Sequence, residues 1–154
     1  MRVYLIPVYA WTHPKYGNAA RVAVCNRKQG FGPKHLHLEG TLGFFGGGVE
    51  EGEAPMDALW RELREELPCF LEGRLDLALK RVYADGAVMV YVVDAGVWTQ
   101  AEYQRLAGSC TEGAVDAVFS RPDLDLGQLR QHLEAMNPLG SFVRDALVEV
   151  LWDG

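Results

Sequence analysis

The chain has 154 residues, of which 49% are hydrophobic and 23% are charged, and its formal net charge is -6 at pH 7. These values are typical of a globular protein that can bury a core without a disulfide or structural metal, and they exclude disordered, collagen-like and coiled-coil classes. The acidic balance argues against a nucleic-acid polymer or an anionic membrane as the main partner. We expect a single domain over residues 1–154.

The cysteines and the first residues of the chain indicate the cellular compartment of the protein. Cys25, Cys69 and Cys110 are widely spaced and form neither a CxxC motif nor a Cys/His cluster, which fits a reducing compartment. The start of the chain lacks the cleavage site of a signal peptide, and no apolar run reaches the roughly 18 residues of a membrane span. We therefore expect a cytoplasmic protein with no membrane partner. The sequence is compatible with a monomer or a homodimer.

The first half of the chain predicts strands followed by a helix. Short β-branched and aromatic runs at residues 3–9 and 21–25 predict two strands around a turn-rich loop. Residues 55–67 follow a helical period, and Pro55 suits the first turn of a helix.

The second half predicts further strands and then a pair of helices. Asp85-Gly86 lies between two β-branched runs and predicts a hairpin with a two-residue turn. Asn137-Pro138 separates two amphipathic stripes and predicts a break between two helices. The predicted elements are strands within residues 75–84, 87–95 and 114–119 and helices over residues 126–136 and 142–150.

The first predicted helix carries three glutamates on one face. Glu62, Glu65 and Glu66 stand at positions i, i+3 and i+4, which point in the same direction on a helix. Each like-charge pair at this spacing costs about 0.2–0.5 kcal/mol, so we expect a cation to offset them. Either Arg61 and Arg64 screen the glutamates on a solvated face, or a hard divalent cation such as Mg²⁺ binds them.

Three glycines at residues 46–48 come shortly before this helix and favour a metal site. Glycine lets the backbone approach a ligand closely, so a glycine loop before carboxylates suggests a metal and a phosphate together. No Gly-Lys-Ser/Thr follows, which excludes a P-loop, and the spacing excludes a dinucleotide-binding fingerprint. The stretch instead resembles the Nudix box at seven positions: Gly47, Glu53, Arg61, Glu62, Leu63, Glu65 and Glu66.

The resemblance implies a fold, an activity and a cofactor. The fold is an α/β Nudix-type α/β/α sandwich with a central mixed β-sheet. The activity is hydrolysis of a pyrophosphate bond in a nucleoside diphosphate linked to another moiety: a nucleoside triphosphate, nucleotide sugar, ADP-ribose or dinucleoside polyphosphate. It uses Mg²⁺ or Mn²⁺ and a small-molecule, nucleotide-type substrate. The alternatives are a Nudix-fold nucleotide-binding or sensor module without catalysis and a non-hydrolytic relative such as an isoprenoid isomerase.

The resemblance also assigns roles to residues of the box. Glu53 is expected to orient Arg61, which supports the glutamates rather than touching the substrate. Phe45 replaces the usual Pro, and Pro68 replaces the Gly that ends the helix in the family, so this helix must end differently. The metal ligands that the resemblance implies are the backbone carbonyl of Gly46 and the carboxylates of Glu62, Glu65 and Glu66.

The resemblance also implies a further acid beyond the hairpin, which acts as a base or metal ligand. Glu112 is the candidate, with Asp116 as its competitor and a plain loop acid as the alternative. His35 and His37 have strand spacing, but no third zinc ligand stands nearby, so we expect a polar strand face or a phosphate contact rather than zinc. The remaining candidates, each also compatible with core packing or a solvated charge, are Tyr16, Phe31, Phe44 and Trp98 for a nucleobase and Arg27 and Lys34 for phosphate.

Overall fold

The computed structural model describes residues 1–12, 19–28, 40–68, 78–97, 99–111 and 113–152. The secondary structure within these residues is, in chain order, β1 (Arg2–Thr12), β2 (Ala19–Lys28), β3 (Thr41–Gly43), β4 (Phe45–Gly48), α1 (Pro55–Glu66), β5 (Lys80–Ala84), β6 (Val88–Val97), α2 (Gln100–Ser109), β7 (Ala114–Phe119), α3 (Leu126–Ala135) and α4 (Ser141–Leu151).

The described strands form one mixed seven-stranded sheet. β1 runs parallel to β6 and antiparallel to β2 and β4. β2 also pairs antiparallel with β3 and β7, while β5 pairs antiparallel with β6. Only Phe44 separates β3 from β4. β3 lies beside the last residues of β2, and β4 lies beside the first residues of β1.

Helices cover both faces of the sheet, because successive side chains of a strand point to opposite faces. Val3 and Leu5 of β1 pack with the buried side chains of α1 and α2. Tyr4 and Ile6 pack with those of α3 and α4. The protein is therefore an α/β/α sandwich with a central mixed sheet, as the resemblance implies.

α1 lies against the sheet through its apolar stripe. Ala58, Leu59 and Leu63 are buried, and Pro55 occupies the first turn, as its fixed φ angle favours. The helix ends at Glu66, one residue earlier than predicted, because its C-cap residue Leu67 has φ -135° and ψ 63°.

The other predicted elements are confirmed, β7 with the predicted bounds and the rest with different bounds. β5 and β6 form the expected hairpin, in which the backbone N–H groups of Ala87 and Val88 donate to the carboxylate of Asp85. Asn137, at φ 57°, separates α3 from α4. None of the helices in the described ranges has the length and apolar character needed to span a membrane.

Three short or polar elements were not predicted. β3 and β4 are too short and too rich in glycine to show a two-residue period. α2 has a single buried residue, Leu106, so its sequence lacks the apolar stripe that indicates a helix.

Candidate functional site

The glycines of residues 46–48 lie in strand β4, which corrects the expectation of a loop. Gly46 has φ 139°, and a Cβ atom built on it would lie 2.1 Å from the carbonyl oxygen of Val3. Only glycine allows β4 to approach β1 so closely with this backbone conformation. The glycine therefore sets the position of β4 against the central strand.

Two of the box glutamates point at these glycines. Glu66 is only 1% exposed, and its Oε2 accepts a hydrogen bond of 2.8 Å from the backbone N–H of Gly46. A Cβ atom on Gly47 would lie 2.7 Å from Oε1 of Glu62, so the Glu62 carboxylate fills the space that a side chain at position 47 would need. Carboxylates one turn apart on α1 thus converge on two successive residues of β4.

Arg61 joins the helix, the glutamates and the segment before the helix. Its Nε and Nη2 both donate to the Glu53 carboxylate at 3.0 Å, Nη2 also donates to the carbonyl of Gly48, and Nη1 donates to Glu62 at 3.1 Å. The hydrogen bond from Arg61 lowers the pKa of Glu53 and in turn raises the pKa of Arg61. The pair is therefore an ion pair at neutral pH, and it holds Glu62 from one side.

The third glutamate of the face, Glu65, is exposed, and the end of its helix is held from elsewhere in the chain. The backbone N–H of Thr111 donates to the carbonyl of Glu66 at 3.1 Å, and the Thr111 hydroxyl donates to the carbonyl of Glu65 at 2.5 Å. Pro68 is exposed directly after the C-cap. The helix thus ends without the family glycine.

The segment around position 112 is anchored on both sides, although Glu112 itself lies outside the described residues. Thr111 binds the end of α1, as above. Gly113 has φ 76°, and a Cβ atom there would lie 2.4 Å from the carbonyl oxygen of Arg27 and from Oδ1 of Asn26. Of its two described neighbours, Thr111 therefore contacts the helix that carries the glutamates and Gly113 lies against the end of β2.

Asp116, the competitor of Glu112, lies on the other face of the sheet. Its Oδ2 accepts a hydrogen bond of 3.0 Å from Nε of Arg27, and Nη1 of Arg27 donates to the carbonyl of Met136, which caps α3 on that face. Arg27 is 6% exposed, so it is neither a solvated charge nor an available phosphate ligand, and both expectations for it are wrong. The Arg27–Asp116 pair connects β2 and β7 to α3.

The chemistry of the glutamates fits a hard divalent cation, but their arrangement is incomplete. Mg²⁺ and Mn²⁺ prefer carboxylate and carbonyl oxygens, which Glu62, Glu65, Glu66 and the glycines of β4 supply. As the side chains lie, no group of three His, Cys, Asp or Glu residues in the described ranges is arranged to hold an ion. Glu62 and Glu66 already face β4, so a third carboxylate ligand requires Glu65 to turn towards them.

The remaining candidates fall into two groups. Phe44 is 1% exposed and contacts Tyr4 and Phe142 in the core between the sheet and the C-terminal helices, so it is a packing residue. Thr111 was not identified from the sequence, although Pro68 indicated that the end of α1 needs a hydrogen-bond donor from elsewhere. The candidates outside the described residues are Tyr16, Phe31, Lys34, His35, His37 and Trp98, together with Cys69.

Comparisons with known proteins agree with this fold. A family profile, the NUDIX domain, matches residues 11–133. The RNA pyrophosphohydrolases of Helicobacter pylori strains P12 and ATCC 700392 / 26695 are each 41% identical to the chain over 54 residues, which are 35% of this chain. The match spans 30% of the length of these curated relatives. A solved Nudix hydrolase from M. smegmatis, RenU, has a TM-score of 0.52 at 12% identity, covering 95% of this chain and 80% of that chain.

Proposed function

The chain belongs to the NUDIX domain family, and we propose that it hydrolyses a pyrophosphate bond in a nucleoside diphosphate linked to another moiety, with Mg²⁺ or Mn²⁺. The observation that carries the proposal is the convergence of the Glu62 and Glu66 carboxylates on Gly46 and Gly47. Burying a carboxylate beside a second one is costly unless a cation offsets the charge. These carboxylates therefore provide a place for the divalent cation that the proposed hydrolysis requires.

Each residue of the site has a distinct part in this proposal. Glu62, Glu65 and Glu66 would hold the metal together with the carbonyl of Gly46. When bound, it neutralises phosphate oxygens and stabilises the charge that develops as water attacks phosphorus. Arg61 fixes the direction of the Glu62 carboxylate through its hydrogen bond.

The remaining roles in the proposal belong to Glu53 and Glu112. Glu53 fixes Arg61 by accepting two of its N–H groups. Glu112 is proposed to take the proton from the attacking water, because positions 111 and 113 on either side of it are anchored beside α1 and β2.

Several substrate classes are compatible with the site, and the relatives add one. Nucleoside triphosphates, nucleotide sugars, ADP-ribose and dinucleoside polyphosphates all contain the required bond. The 5′ end of a triphosphorylated RNA contains it as well, and the curated relatives are named RNA pyrophosphohydrolases. The net charge of -6 favours the small molecules over an RNA chain, since a polyanion would be repelled.

The test is a phosphate-release screen with and without Mg²⁺. The panel contains ATP, 8-oxo-dGTP, UDP-glucose, ADP-ribose, diadenosine tetraphosphate and a 5′-triphosphorylated RNA oligonucleotide, and pyrophosphatase or phosphatase is added to detect each product. We expect Mg²⁺-dependent hydrolysis of at least one compound. Glu66→Gln should reduce that rate at least about 100-fold, because a neutral amide replaces a metal-binding carboxylate.

Two outcomes would contradict the proposal. Nucleotide binding without hydrolysis of any panel compound would favour the sensor module. Turnover by Glu66→Gln within a few-fold of wild type would mean that the metal site is wrongly placed. Arg64→Gln, an exposed change on the same helix, is the matched control and should retain wild-type turnover.

A further inference from the structure

The residue that follows the C-cap of α1 cannot donate a backbone hydrogen bond to the end of the helix. The last carbonyls of a helix lack partners within the helix, and the N–H of the residue after the C-cap commonly binds one of them. Here the C-cap is Leu67 and the next residue is Pro68, which has no N–H. Nevertheless, this last turn carries Glu65 and Glu66, two of the three glutamates of the proposed site.

Thr111 supplies the missing donors from a distant part of the chain. Its N–H binds the carbonyl of Glu66 and its hydroxyl binds the carbonyl of Glu65, at 3.1 and 2.5 Å. Both acceptors belong to the residues whose side chains must be positioned. Both hydrogen bonds therefore act on the backbone of this last turn of α1 rather than on its carboxylates.

We propose that Thr111 is a positioning residue, which holds the metal-binding turn of α1 in place of the helix-ending glycine that Pro68 replaces. The inference rests on the proposed metal-binding role of Glu65 and Glu66.

A double-mutant cycle between positions 111 and 68 tests this proposal. Thr111→Val keeps the shape of the side chain and the backbone N–H but removes the hydroxyl donor. Pro68→Gly restores an N–H and the backbone freedom of the family glycine. The probe is Mn²⁺ alone, and the free ion is measured by electron paramagnetic resonance during a titration of each protein.

We expect Thr111→Val to raise the Kd for Mn²⁺ roughly tenfold, the size of effect seen when a residue that orients metal ligands is removed. Thr111→Ser, which retains a hydroxyl, should bind Mn²⁺ as wild type does. In the Pro68→Gly background the same Thr111→Val change should raise the Kd for Mn²⁺ about twofold or less, since the helix then has its own cap.

Thr99 offers a matched control. Its hydroxyl accepts the N–H of Glu102 at the start of α2, so Thr99→Val also removes one hydroxyl contact with a helix backbone. Thermal unfolding should show that Thr99→Val and Thr111→Val are both folded. Only Thr111→Val should lose Mn²⁺ affinity, because a merely structural loss would be shared by the control.

The outcomes separate this inference from the proposed function. Unchanged Mn²⁺ affinity in Thr111→Val, or an equal loss in both backgrounds, would overturn the role of Thr111 while hydrolysis by the wild type continued to support the function. Loss of Mn²⁺ affinity in Thr111→Val, relieved by Pro68→Gly, would support the inference even if the wild type hydrolysed no panel compound.

Discussion

The three successive glycines of β4 should respond to the same substitution in three different ways. In Gly46→Ala the new Cβ atom would lie 2.1 Å from the carbonyl oxygen of Val3 and 2.9 Å from Cα of Tyr4, both backbone atoms of the central strand. A residue with a side chain would also be strained at φ 139°. The strain costs about 1–3 kcal/mol, and the overlap about 1–3 kcal/mol more.

These terms predict that Gly46→Ala lowers the free energy of unfolding by roughly 2–6 kcal/mol, a large share of the about 5–15 kcal/mol of a typical domain. Gly48→Ala is the internal control, since nothing lies within 4 Å of its Cβ position. Its free energy of unfolding should rise by less than about 1 kcal/mol, because alanine restricts the unfolded chain.

Gly47→Ala should separate function from stability. Its Cβ atom would meet the carboxylate of Glu62, the end of a flexible side chain that can rotate away. We therefore expect a loss of stability below about 1 kcal/mol but a rise of roughly tenfold in the Kd for Mn²⁺.

Urea unfolding followed by circular dichroism, together with Mn²⁺ titration, measures both quantities for the three variants. Equal stability of Gly46→Ala and Gly48→Ala would refute the close approach of β4 to β1. Wild-type Mn²⁺ affinity in Gly47→Ala would refute the placement of Glu62 over this strand.

Three further predictions concern acids inside and outside the box. Glu112→Gln should reduce turnover by roughly 10²–10⁴ with little change in Mn²⁺ affinity, and a wild-type rate would make Glu112 a plain loop acid. Asp116→Asn should lower the free energy of unfolding by about 2 kcal/mol, because the buried Arg27 loses its carboxylate partner. The loss is smaller than for a fully buried ion pair, since the Asp116 side chain is 37% exposed. Lost turnover at unchanged stability would make Asp116 the base instead. Because the pKa of Glu53 is lowered in the folded protein, its ion pair stabilises the fold at pH values above the ordinary pKa of 4.5. This stabilisation is lost as the pH falls through the lowered pKa. Glu53→Gln should therefore flatten the decline of Tm below pH 4.5, and parallel profiles of Tm against pH would contradict the Glu53–Arg61 contact.

The sequence alone determines the elements whose signals are local. The helical period of α1, the apolar stripes of α3 and α4 and the β-branched runs of β1 and β7 follow from side-chain periodicity, which neighbouring residues suffice to show. The spacing of Glu62, Glu65 and Glu66 likewise places them on one helix face before any tertiary contact is known. The resemblance of the box to a family extends this local pattern to a proposed chemistry.

Tertiary structure decides which distant groups meet this helix face. The sequence separates Thr111 from Glu65 by 46 positions, and no local pattern indicates that its hydroxyl ends α1. Asp116 and position 112 are equally acidic in the sequence, but the alternation of β7 directs Asp116 to Arg27 on the opposite face of the sheet. Strand pairing and register set these contacts, because they bring together residues whose separation along the chain carries no periodic signal.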